Sequence, residues 1–329
     1  MLARHILAWL CCAVVVACGS HERDFVETPT SYPSNLSNPS VSVRIAGLSN
    51  CSDRDSDPLR LNTAEPVTVI VHGCFSSAGR FRSIAEVFEF HGQQTICFSY
   101  DDRERLTTVA SQLKTALAEL SQLFENPEIT LIGHSQGGLI SRRALIANQA
   151  DSLEKQDIDI QLTTISSPFG GIEAASHCGS TTAAWLSLGM VKLMCHAITG
   201  SKYQDIPPNS PFIEQPGELI SSVKSHLKIV TDETDSCRRL NDRGGCAEDD
   251  FVFSVEEQQQ TIVDAQPATR PLNVKAGHVE IVGDGSQVPK KLIAILQQRG
   301  VMRDTPPAAA ADLEKLLAGL YTHSPAPGE

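Results

Sequence analysis

The chain has 329 residues, 41% hydrophobic and 20% charged, which is enough for the core of one large domain or two modest ones. Its formal net charge of −12, with no block of basic residues, excludes the basic face that nucleic-acid binding requires. An acidic surface is also repelled by anionic head groups, so attachment to a membrane needs some other device.

The N-terminus offers one. Arg4 precedes an apolar stretch from Ile6 to Ala17, too short to span a bilayer and suited to a secretory signal. The run ends Val15-Val16-Ala17-Cys18-Gly19-Ser20, which resembles a bacterial lipobox. That resemblance implies a signal peptide over 1–17, cleavage before Cys18 and a lipid on its sulfur, hence an exported, membrane-anchored lipoprotein. Gly19 where Asp would stand implies, by the same analogy, the outer membrane. Plain signal cleavage with Cys18 incidental, or an uncleaved anchor, are the alternatives. Residues 18–40, rich in Ser, Pro, Asn and Thr, read as a flexible tether.

Asp53, Asp55 and Asp57 alternate like the start of a calcium loop, but Pro58 and Ala64 stand where Gly and Glu are needed, so the segment reads as a plain loop. Val67–Val71 is a continuous β-branched run after Pro66, the pattern of a buried strand, and it enters His72-Gly73-Cys74-Phe75. Phe81, Ile84, Val87 and Phe88 share a helical face. A strand follows at Thr95–Tyr100, and Leu106, Val109, Leu113, Leu117, Leu120 and Leu123 mark an amphipathic helix. Ile129-Thr130-Leu131-Ile132 then leads into Gly133-His134-Ser135-Gln136-Gly137-Gly138, and a second apolar-faced segment leaves it. Strand, G-x-S-x-G and helix in that order are the setting of a nucleophile elbow, which exposes Ser135 at the top of a sheet. A Gly-rich turn without chemistry is the plainer alternative. Further strands are expected at Ile160–Ser166, Leu227–Thr231 and Leu272–Ala276. Ala183–Met194 forms an apolar helical stretch, and the tail after residue 300 carries a short helix near Leu313–Leu320 and is expected to be peripheral.

Alternating strands and helices imply an α/β fold, a mostly parallel central sheet with helices on both faces and a site at the strands' C-terminal ends. A serine hydroxyl needs a base, and the base needs a carboxylate. Among His177, His196, His226, His278 and His323, only His278 follows a predicted strand directly, so it is the expected base. The acid should leave the preceding strand. Glu248-Asp249-Asp250 stand together there, Asp232 and Asp235 lie nearer the strand end, and a solvated acidic loop is the bland reading of the trio. The N–H groups of Gln136 and Cys74 are placed to form an oxyanion hole. Cys74 as nucleophile is set aside, because exported cysteines are more often bridged.

Of ten cysteines, Cys11 and Cys12 leave with the signal and Cys18 takes the lipid, leaving Cys51, Cys74, Cys97, Cys178, Cys195, Cys237 and Cys246. Cys237 and Cys246 bracket a Gly-Gly turn and are the first expected bridge. Cys178 with Cys195 is the second, and the odd number leaves one thiol over. No C-x-x-C or His-x-x-x-His spacing points to a metal, and nothing calls for a cofactor.

Val71-His72-Gly73, the Ser135 block, Thr164-Ile165-Ser166-Ser167-Pro168-Phe169-Gly170-Gly171 and the His278 block together resemble the α/β-hydrolase superfamily, in its bacterial lipase and esterase branch, over roughly 67–282. The resemblance implies a hydrolase domain over 41–300, with a tail over 301–329. It also implies an acid at Asp249, from an Asp-x-x-Val register in which Asp250 takes the place of glycine, so that Asp250 stays open. Lipase-like enzymes often insert a lid at 172–217, and the apolar stretch there is either such a lid or an ordinary core helix. The expected function is cleavage of carboxylic esters, apolar acyl lipids in particular, by Ser135, His278 and Asp249. Acyl transfer, thioester or amide cleavage, and a non-catalytic binding lipoprotein are the rivals.

Overall fold

The computed structural model describes residues 40–53, 57–147, 153, 156–176, 200–241 and 243–321. Cys18, Cys178, Cys195, His177, His196, His323, the stretch Ala183–Met194 and the signal segment lie outside them.

Strands β1 (Val41–Val43) and β3 (Leu59–Leu61) pair antiparallel, apart from the main sheet. The main sheet is seven-stranded. It contains β2 (Leu48–Ser49), β4 (Val67–Val71), β5 (Gln94–Phe98), β6 (Glu128–His134), β7 (Asp159–Ile165), β8 (Val223–Asp232) and β11 (Thr269–Lys275), in the order β11-β8-β7-β6-β4-β5-β2. Every pairing is parallel except that of β2 with β5. The side-chain period of two distributes β4 between two cores. Val67, Val69 and Val71 face helices α2 (Leu106–Ser121) and α3 (Gln136–Ala144), while Ile70 faces α1 (Arg82–Phe90) on the other side.

Helix α2 forms where leucines and a valine recur every three or four residues, and all of them are buried. Short helices α4 (Pro211–Glu214), α5 (Val255–Gln258) and α6 (Thr261–Asp264) fill connections, and a hairpin of β9 (Cys237–Leu240) and β10 (Cys246–Asp249) projects after β8. Helices α7 (Lys290–Gln298) and α8 (Ala310–Leu320) complete the second face. The tail helix is not peripheral: Leu313, Leu316, Leu317 and Tyr321 are buried with Phe88 and Leu296, because α8 covers apolar surface of α1 that would otherwise face water.

The expected Cys237–Cys246 bridge ties the two strands of the hairpin. A second bridge, Cys51–Cys97, ties the chain after β2 to β5, and Cys74 takes part in neither of these two bridges. Asp53 accepts hydrogen bonds from Ser77 Oγ and Gly79 N, both at 2.8 Å, so this carboxylate holds the loop after β4.

Parallel pairing brings five strand ends to one edge. Cys74 follows β4, Ser135 follows β6, Ser166 follows β7, Glu233 follows β8 and His278 follows β11, each within three residues.

Candidate active site

Ser135 stands between β6 and α3 at φ 56° and ψ −126°, a backbone conformation that non-glycine residues adopt only when their surroundings impose it. Here the surroundings do so. Ser135 N donates to Ile165 O at 2.8 Å, its own carbonyl accepts from Gly138 N at 3.0 Å, and the helix starts at once. A Cβ at Gly137 would overlap the Val71 carbonyl, so the helix reaches this close to β4 only without a side chain there.

The loop after β4 lies against the elbow. A Cβ at Gly73 would come within 2.9 Å of Ser135 Cβ, and the Tyr100 hydroxyl donates to His72 O at 2.7 Å. Asp102 takes the N–H of Phe75, a residue at φ 48°. Buried Lys202 donates to Cys74 Sγ at 3.0 Å and lies 3.6 Å from Asp102. Gln136 opens α3, where a first-turn N–H has no acceptor within the helix. Both expected oxyanion residues therefore flank Ser135.

His278 sits at the same edge, 7% exposed, with its ring centroid 4.7 Å from that of His134, the residue before Ser135. Its Nδ1 lies 3.0 Å from Glu233 Oε1. Ser166 Oγ is 2.8 Å from the same nitrogen and donates to the same carboxylate oxygen at 2.6 Å. Thr231 Oγ1 approaches both, at 2.9 Å from Glu233 Oε1 and 2.8 Å from Ser166 Oγ. The second oxygen, Oε2, accepts from Val252 N at 2.6 Å and Phe253 N at 2.8 Å. Burial pushes the Glu233 carboxyl up, but the bond and charge interaction with His278, with the Ser166 and Phe253 donors, outweigh it and hold the carboxyl low. Because a carboxylate only accepts, Nδ1 carries the imidazole proton. His134 is kept neutral first by burial and then by its neighbour His278, and its Nε2–H donates to the His278 carbonyl at 3.1 Å.

The acid on His278 is therefore Glu233, and Asp249 is a correction. Asp249 pairs with Cys237 in the exposed hairpin and accepts from Phe251 N at 3.0 Å. Asp232 points to the opposite face of β8, 3.2 Å from Lys275 Nζ, and Asp235 is an exposed turn residue. Asp250 reaches the His278 loop but not its ring. Glu233 stands two residues past the predicted strand and shares the parity of Ile229 and Thr231, which is the signal that would have found it. His226 lies within β8 and bridges Thr164 and Thr269, a buried structural histidine whose pKa burial lowers to about 3.

Ser166 has φ 46° and is fully buried, a second strained position in contact with the site. Ser166→Ala and Ser166→Gly both delete the hydroxyl, and each is expected to lower kcat about tenfold, for a bond to a charged group worth ~1.5 kcal/mol. The glycine variant should be the more stable of the two by about 1 kcal/mol, since only glycine takes this φ without a Cβ clash. Urea denaturation beside steady-state kinetics checks both.

A family model for palmitoyl protein thioesterases matches residues 66–213 of the chain. Among solved structures, the Bacillus licheniformis lipase BlEst2 in mature form is similar at 16% identity, covering 75% of this chain and 96% of its own, with a TM-score of 0.47. An esterase of Pyrococcus furiosus is similar at 15% identity, covering 85% and 99%, with a TM-score of 0.43. No curated protein matches. The sheet order, the elbow and the family match identify an α/β-hydrolase fold.

Proposed function

We propose that the chain is a serine hydrolase of acyl esters working through Ser135, His278 and Glu233. The observation that carries this reading is the 3.0 Å bond between His278 Nδ1 and buried Glu233, beside a strained serine at a strand-to-helix turn. With Nδ1 held by the carboxylate, Nε2 is the nitrogen left to take the Ser135 proton as the hydroxyl attacks the acyl carbon. The N–H groups of Cys74 and Gln136 stabilise the oxyanion, and Glu233 stabilises the imidazolium. His278 then protonates the departing group, and water releases the acid from the acyl-serine by the reverse relay.

A second reading, the acyl thioester as substrate, is favoured by the match of 66–213 to the thioesterase family. The triad is the same, and a thiolate leaves more readily than an alkoxide. The location proposed is that of the lipobox resemblance, an exported lipoprotein held by Cys18.

The test is an assay of the fragment starting at residue 19 on nitrophenyl esters and acyl thioesters of short and long chain, with mass spectrometry of the fluorophosphonate adduct. Turnover with the adduct on Ser135 is expected, and the ratio of ester to thioester rates picks the substrate class. Full-length chain in the membrane fraction, and the fragment in the soluble one, checks the anchor. Turnover that appears only with an added alcohol as acceptor would replace hydrolysis by acyl transfer. A folded fragment without turnover or adduct would leave a binding protein.

A further inference from the structure

One hairpin delivers two carboxylates to His278. Glu233 stands at its entry and Asp250 at its exit, and its two strands are tied by Cys237–Cys246. The two ends are also bonded to each other: Asp250 N donates to Ser236 O at 3.3 Å, and Ser236 Oγ donates to Glu233 O at 2.6 Å.

Asp250 is 2% exposed, yet it does not touch the imidazole bond described above. Its carbonyl accepts from His278 N at 3.0 Å. Its carboxylate accepts from Val279 N at 3.0 and 3.1 Å and from Glu280 N at 2.8 Å. Three successive main-chain N–H groups, those of residues 278–280, are thus held by one side chain and its own carbonyl. Bonds from N–H to a carboxylate are the strong kind. The turn is also pressed onto this group, since a Cβ at Gly277 would overlap the Asp250 carboxylate. On the other side the His278 carbonyl is held by His134.

We propose that Asp250 is a positioning residue for His278, gripping the backbone of its loop while Glu233 grips the ring. The proposal rests on the triad reading above for its catalytic meaning. A proton relay tolerates little displacement, since a shift of about 1 Å can cost about 10²-fold in rate. The imidazole is hydrogen-bonded through one nitrogen and packed by Phe253 and His134, and the main chain sets the point from which it reaches them. Glu233 alone fixes a direction, and Asp250 with His134 fixes the point from which the ring extends.

Two variants test this from opposite directions. Asp250→Asn removes the charge and keeps the shape. Gly277→Ala keeps the carboxylate and forces it off the turn. In each, kcat per active site titrated with a fluorophosphonate is expected to fall about 10²-fold with KM unchanged. The downfield Nδ1–H proton resonance of His278, read by NMR without any substrate, should broaden through faster exchange with solvent. A merely structural role would lower the number of titrated sites but leave kcat per site and the resonance at parent values, and that result in both variants overturns the proposal. Loss of the resonance in Asp250→Asn, matching Glu233→Gln and its larger rate loss, would make Asp250 the triad acid and overturn it in the other direction. If the parent itself neither turns over nor labels, the hydrolase reading fails while the resonance still decides whether Asp250 holds the histidine.

Discussion

Glu233→Gln is expected to lower kcat about 10⁴-fold, while Asp249→Asn stays at the parent's level. The reason lies in how the glutamate divides its oxygens. Oε2 is claimed by the N–H groups of Val252 and Phe253, and only a carbonyl oxygen of the amide can replace it there. The amide nitrogen then faces His278 Nδ1, which must become an acceptor and pass its proton to Nε2. An imidazole with its proton on Nε2 cannot remove the one on Ser135. Asp249 carries no such consequence, because its carboxylate bonds a neighbouring N–H in an exposed hairpin. Steady-state kinetics of the two variants decides the matter.

Thermal melts add a second signature. The folded carboxyl of Glu233 is held below its usual range, so it contributes stability above the unfolded pKa, and that contribution is lost as pH falls through the folded one. The difference in Tm between parent and Glu233→Gln should therefore shrink in acid.

Ser135→Ala and His278→Ala should each cost about 10⁶-fold in kcat, and the double variant should be no worse than either alone. Serine and histidine act as one unit in this chemistry, since an unactivated hydroxyl and a base with nothing to deprotonate are equally idle. A double variant markedly slower than the single ones would show that another group does part of the work. Cys74 is the one to examine first, because it belongs to the loop packed on Ser135. The measurement is single-turnover release of nitrophenol at high enzyme concentration.

The central strands, the elbow and the place of His278 just after a strand were legible in the sequence because each rests on local pattern. Continuous β-branched runs mark doubly buried strands, and a serine between two glycines needs a sharp turn. The carboxylate bonded to His278 was not legible in the same way. Three acids in a row draw attention, yet Asp249 and Glu248 stand in the solvated hairpin, and the family register passes over a glutamate flush with the strand end. What separates Glu233 from Asp232 is parity along β8, and a one-residue error there reverses the face. The bridge Cys51–Cys97 was illegible for a different reason: its partners lie 46 residues apart and meet only because β2 folds back on β5. The role of α8 was missed because its apolar face is short and its target, α1, is distant in sequence.

The Cys51–Cys97 bridge also decides where tension goes. Strand β2 pairs through two residues, so a pull on the N-terminus would peel it from the sheet with little resistance. At Cys51 the covalent path of the load passes through sulfur into β5, in the body of the sheet, and bypasses the main chain between residues 51 and 97. The bypassed segment contains β4, Cys74 and the turn packed on Ser135. In a molecule tugged by its leading end, the loop packed on Ser135 thus lies off the covalent path of the pull.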